Sequence, residues 1–195
     1  MAENKNFLMQ VFRSKAQKSF LSVVPERITW NVNNYHSDTR FLVNHSFGRI
    51  KGRFELYDGS IVVDRDMNLV NADIHFSILT RSLRTGIKRR DKRLLKRSFL
   101  NAAEFPVIDF KSFNIERYNR NKYFMEGSCT VKGITKLVTF EVVYEGMRKD
   151  ELGNKLLFFK ANGKINRRDF GFKINKLMTF FINDEIDVQL NIECM

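Results

Sequence analysis

The sequence is poor in the residues that punctuate or staple a chain. Its 195 residues include two prolines, two cysteines, one tryptophan and ten glycines. So little proline and glycine excludes collagen-like order and low-complexity linkers. Cys129 and Cys194 are too few for a disulfide framework, and neither belongs to a Cys-x-x-Cys pair. Both fall in strand-like runs and read as small buried thiols, with one disulfide between them left open. Apolar runs all fall short of the roughly 18 residues that a membrane-crossing helix needs. His36, His45 and His75 show no metal-ligand spacing and no carboxylate beside them to complete a site, so no metal is expected. The sequence has no G-x-S-x-G elbow, no P-loop, no glycine-rich phosphate cradle and no recognisable Cys–His pairing. A catalytic site is therefore not expected, nor is a cofactor.

Phenylalanine and positive charge stand out against these absences. There are 19 phenylalanines beside five tyrosines, within a hydrophobic fraction of 43%. Phenylalanine fills apolar space without needing a hydrogen bond, which suits a solid core and the wall of a greasy cavity alike. The formal net charge of +12 implies attraction to nucleic acid, anionic lipid or acidic ligands.

Residues 1–27 read as an N-terminal extension. Phe7, Leu8, Val11, Phe12, Ala16 and Phe20 recur near helical spacing, with Lys5, Arg13, Lys15 and Lys18 between them. That pattern predicts an amphipathic helix, docked on the domain or lying on a membrane. Arg13 interrupts the apolar stretch of a secretory leader, so a cytoplasmic location is expected, membrane-peripheral at most. A leader ahead of this sequence would make the location periplasmic instead.

The period becomes two over residues 28–195. Apolar and polar residues alternate through Ile28–Val32, Phe41–Val43, Ile50–Leu56 and Val70–Ile78, the last being the cleanest case. Alternation resumes at Ile108–Phe110 and recurs in Met125–Val131, Val138–Val142, Phe159–Ile165 and Ile186–Ile192. Asp58-Gly59 and Lys132-Gly133 read as hairpin turns, and residues 149–154 as a loop. Between strands, residues 84–104 carry a helical stripe of Leu94, Leu95, Phe99 and Ala102, with Asp91 as its cap and Pro106 beyond its end. The expected fold is all-β: about eight antiparallel strands in a barrel or sandwich, with one inserted helix. An eight-stranded barrel either fills its interior with side chains or holds one small ligand, and periodicity leaves both outcomes open.

Several segments, in order, resemble the YceI family of lipocalin-like proteins. They are Trp30-Asn31-Val32, Ser37 to His45, Gly48 to Phe54, Arg90 to Leu94, Phe99-Leu100-Asn101, Glu104-Phe105-Pro106, Val131 to Lys136 and Ile165 to Gly171. The resemblance covers about residues 28–192. It implies an eight-stranded antiparallel lipocalin-like barrel with a helix near one end. It also implies an elongated pocket for a polyisoprenoid or quinone-like lipid.

The inward phase of the strands selects Phe41, Val43, Phe54, Ile74, Phe76, Phe110, Met125, Val131, Phe140, Val142, Phe159, Ile165, Val188 and Leu190 as candidate ligand contacts. His45 is in phase with Phe41 and Val43, and Arg167 with Ile165. Each reads either as the anchor of a lipid's polar head or as a structural hydrogen-bonding group. Arg84, Lys88, Arg89, Arg90, Lys92, Arg93, Lys96 and Arg97 oppose only Asp91 and carry more than half of the net charge. They read as a surface for anionic lipid heads or as a solvated helix face. The expected partners are thus an isoprenoid-type lipid and, peripherally, an anionic membrane. Nucleic acid is disfavoured because the aromatics fall in the buried phase, and a homodimer is left open. The competing reading is a basic module for membrane or nucleic acid built on a filled barrel.

Overall fold

A strand that alternates apolar and polar residues presents one greasy face, and a sheet of such strands must curl or stack to hide it. This sheet curls. The computed structural model describes residues 26–172 and 182–195, so the helix expected from Phe7 to Phe20 lies outside the described residues, and Arg27, expected in the extension, already belongs to the first strand. The strands are β1 Arg27–Asn31, β2 Asp38–His45, β3 Gly48–Phe54, β4 Tyr57–Asp64, β5 Asp73–Leu79, β6 Leu83–Arg84, β7 Val107–Asn119, β8 Lys122–Val131, β9 Ile134–Lys149, β10 Lys155–Asn166 and β11 Ile182–Cys194. All pairings are antiparallel, and the order across the sheet is β1-β4-β5-β7-β8-β9-β10-β11-β2-β3-β6. One short helix, α1 Lys88–Leu94, lies between β6 and β7.

The curl brings the β1 edge of the sheet onto β11. Val32, just past β1, bridges Cys194 at the end of β11. Its amide also donates to the Gly59 carbonyl of β4 at 2.9 Å. At the β6 edge the Glu55 amide donates to the Ser82 carbonyl at 3.2 Å, and the Leu79 amide extends the β4–β5 ladder by donating to the Leu56 carbonyl at 2.9 Å. These bonds satisfy backbone groups that an open edge would leave free for another strand.

The all-β antiparallel class is as the sequence implies, but among the described residues the sheet has eleven strands and not eight. A two-residue strand such as β6 is too short to show an alternation. The Lys132-Gly133 hairpin is real: both residues have positive φ, 54° and 73°, as a tight two-residue β-turn requires. The turn expected at Asp58-Gly59 does not exist. Both residues run extended inside β4, opposite Ser77 and Phe76. Gly59 serves there as a place without a Cβ, not as a bend.

The inserted helix also differs from expectation. It begins at Lys88, a turn before Asp91, with Ile87 in the cap position. Lysine, arginine and leucine hold a helix well without a capping side chain. Asp91 sits inside the helix and is buried; its Oδ1 accepts hydrogen bonds from the Thr85 amide, at 3.0 Å, and from the Thr85 hydroxyl. Arg84 belongs to β6, and Lys96 and Arg97 lie past the helix end. The basic run therefore spans a strand, a helix and a turn.

Part of the interior is packed solid. Val63, Leu157 and Cys194 have no exposed surface, and Trp30 belongs to the same apolar cluster. None of these four lines the hollow described next.

Candidate ligand cavity

The inner faces of the strands line a partly open cavity of about 340 Å³. This is within the range of small-molecule sites, and more than twice an engineered apolar cavity that stays dry and takes up benzene. Its wall is overwhelmingly apolar, drawn from β2 to β11 and capped by the α1 segment.

Four glycines keep the wall thin. Phe41 on β2 faces Gly52 on β3, Phe76 on β5 faces Gly59 on β4, and Phe140 on β9 faces Gly163 on β10. Phe110 on β7 lies against Gly127 on β8 in the same way. A Cβ on Gly163 would stand 2.6 Å from the Phe140 ring, and one on Gly59 2.7 Å from the Phe76 ring. Each ring thus lies back over the neighbouring strand, where a side chain would have pushed it into the hollow. The rings also touch each other: Phe110 and Phe140 meet edge to face with centroids 5.4 Å apart, and Phe41 and Phe54 tilt together at 5.8 Å.

Of the residues selected by phase, all but His45 line the cavity. His45 keeps the inward phase, but it is the last residue of β2, beside the turn to β3. There its Nδ1 accepts from the Phe47 amide at 3.2 Å. The expectation that it reaches the interior is corrected: alternation persists to the strand end, whereas the cavity stops short of it. Ile50, Ile108, Ile186 and Ile192 line the cavity without having been selected. They share the phase of Phe54, Phe110, Val188 and Leu190, so the same alternation marks them. Leu94, Phe99 and Leu100 enter from the α1 segment; the helical stripe that holds Leu94 and Phe99 showed a buried face but not what it buries.

Arg167 is the deeply buried cation of the wall, 4% exposed. Its Nε donates to the Asn183 carbonyl at 3.2 Å and its Nη2 to the Ile182 carbonyl at 3.4 Å; it also ion-pairs with Asp184. Burial pulls the guanidinium pKa down, against the favourable charge of Asp184. Of the two readings of Arg167, the structural one is thus visible in its bonds. Arg90 and Arg40 also line the wall; Arg90 is held by Thr85 through Nε to the hydroxyl and Nη2 to the carbonyl, each at 2.7 Å.

Both cysteines are free and buried. Burial, with a smaller push from Asp109, raises the Cys129 thiol to about 11. Burial and the neighbouring Glu193 raise Cys194 to about 12. His75 Nε2 lies 2.6 Å from Asp109 Oδ1 and 3.2 Å from Ser77 Oγ. Serine and aspartate meet the same ring nitrogen, so the imidazole cannot relay a proton from one to the other as a nucleophilic triad demands. Burial opposes ionisation of Asp109, but bonds from His75 and Ser77 outweigh it and hold the carboxyl below its ordinary value.

Residues 30–194 match the YceI-like domain. The chain belongs to the YceI-like family. A UPF0312 protein of Yersinia pestis (strain Pestoides F) is 35% identical over 136 residues, covering 69% of this chain and 70% of that one. Among solved structures, BcnA of Burkholderia cenocepacia superposes with a TM-score of 0.75 at 19% identity, covering 83% of this chain and 98% of BcnA. A domain from Saccharophagus degradans, described as polyisoprenoid-binding and implicated in plant cell wall breakdown, gives 0.64 at 12% identity, covering 85% and 97%. At such identities these two likenesses establish the fold.

In this YceI-like chain the basic run frames the α1 end of the cavity. Lys88, Arg89, Lys92, Arg93, Lys96 and Arg97 are exposed. Among the described residues none of them forms an ion pair, whereas Arg84 meets Glu55 at 3.1 Å. Arg93 also lies over the Phe99 ring, 5.7 Å from its centroid.

Proposed function

We propose that this YceI-like protein binds a long apolar or amphiphilic molecule, of the polyisoprenoid or quinone-tail class, inside the barrel. Such binding would serve carriage, storage or sequestration without chemical change to the guest. One observation carries the reading: a hollow of about 340 Å³ walled by apolar side chains.

Burying a methylene gains roughly 0.8 kcal/mol, so each five-carbon prenyl unit supplies roughly 4 kcal/mol before the cost of ordering the chain. A branched hydrocarbon tail needs shape and grease and few polar partners, which this wall offers. The polar end of the guest lies toward Arg90 and Arg167, the cations of the α1 end and the late strand-loop. Arg167 is largely engaged by its own backbone partners, so it contributes charge more than free hydrogen bonds. The Saccharophagus domain with the same fold, described as polyisoprenoid-binding, supports the choice of ligand class.

The test is mass spectrometry of an organic extract from purified protein, followed by uptake of added polyprenol and quinone. A co-purified or saturably absorbed prenyl lipid is expected. Repeated absence of both refutes the reading.

A further inference from the structure

We infer that the α1 segment is a membrane-docking surface, which holds the cavity's α1 end against an anionic lipid bilayer. The proposal goes beyond ligand binding and stands on different residues.

The same short stretch has two faces of opposite character. Inward, the half-buried Leu94, Phe99 and Leu100 reach the cavity wall. Outward, Lys88, Arg89, Lys92, Lys96 and Arg97 are exposed and, among the described residues, unpaired. The one acid of the stretch does not offset them at the surface, because Asp91 is buried and turned to Thr85. Ile87, 54% exposed, stands directly before the first of these cations.

Cations following an exposed aliphatic side chain match the layering of a membrane: charge at the phosphates, hydrocarbon just beneath. A nucleic acid would use the charge but has no place for Ile87 without an aromatic platform beside it. The position has a consequence for a greasy guest. A cavity end pressed to the bilayer lets a hydrocarbon tail pass from lipid to protein without crossing water, where each exposed methylene is disfavoured.

The experiment uses the full chain, with vesicles of phosphatidylcholine alone or mixed with phosphatidylglycerol. Two variants are compared with the unaltered protein. The first combines Arg89→Gln, Lys92→Gln, Lys96→Gln and Arg97→Gln, none of which lines the cavity. The second is Ile87→Trp, an insertion reporter whose emission is read against the chain's one native tryptophan, the buried Trp30. Expected are binding to the anionic vesicles only, weakening as salt rises. The quadruple variant loses on the order of a thousandfold in partitioning, and the Ile87→Trp emission shifts to the blue on anionic vesicles. Uptake of a detergent-dispersed prenyl alcohol should be the same in the quadruple variant and the unaltered protein. Failure of uptake in both would count against the ligand reading and leave the vesicle result standing. Equal partitioning of the quadruple variant, no preference for anionic vesicles, an unmoved Ile87→Trp emission, or capture of nucleic acid in place of vesicles each overturns the docking surface.

Discussion

The ring of Phe41 on β2 lies directly over Gly52 on β3, its partner in register, in the space that a Cβ at Gly52 would occupy. Hollow and wall are set by this pair and its three counterparts. Gly52→Ala should lift the Phe41 ring off the wall and into the cavity. The expected outcome is lower capacity for a prenyl ligand at a stability cost of about 1–3 kcal/mol, typical of overpacking. Uptake assays and denaturant titration of the same variant check it, and unchanged uptake would show that the ring has room elsewhere.

Two leucines separate the solid part of the interior from the hollow part. Leu157 is fully buried away from the cavity, whereas Leu190 lines it and remains half-buried. Leu157→Ala removes close contacts and should cost about 2–5 kcal/mol. Leu190→Ala should cost well under that, since one side of the side chain already meets empty space. Equal losses in chemical unfolding would mean that Leu190 is packed as tightly as Leu157.

Arg167 ties the late strand-loop to the start of β11 through two carbonyls and Asp184. Arg167→Met keeps most of the side-chain volume but abandons those partners. Hydrogen bonds to a charged group are worth about 1.5–3 kcal/mol, and Arg168 still pairs with Asp184, so a loss near the lower end is expected. Ligand affinity measured beside stability separates the two roles of Arg167: a loss confined to stability assigns it to the fold alone.

The thiols give a pH test with a definite sign. Folding raises Cys129 to about 11 and Cys194 to about 12, from an ordinary value of 9.0. The folded state therefore keeps protons that the unfolded state releases. This contribution is fully present below about pH 9 and is lost as pH climbs toward the folded values. Stability should fall across that alkaline window, and Cys129→Ser with Cys194→Ser should flatten the fall. Thiol alkylation of the native protein should likewise be slow near neutrality and quicken on unfolding.

The alternation of the strands made most of the barrel and its wall readable from sequence, because one face of every long strand meets apolar surroundings. The hollow was not readable from that pattern, since Phe140 or Met125 has the same phase whether it touches another side chain or empty space. The resemblance to YceI-like proteins supplied the pocket, and the Phe–Gly pairs explain it. Gly59 misled because the same residue serves tight turns and close approaches. His45 misled because periodicity does not mark where a cavity ends. The position of α1 was misread from Asp91, whose carboxylate caps no helix and instead turns back to Thr85.

Affinity for a graded series of prenyl alcohols tests the hollow most directly, read by calorimetry on the unaltered protein and on Gly52→Ala. Tightening of about tenfold or more per added isoprene unit is predicted, up to a length at which the cavity is full, with the limit reached sooner in Gly52→Ala. Saturable binding at no length, or an affinity indifferent to length in both proteins, would contradict a lipid-holding interior.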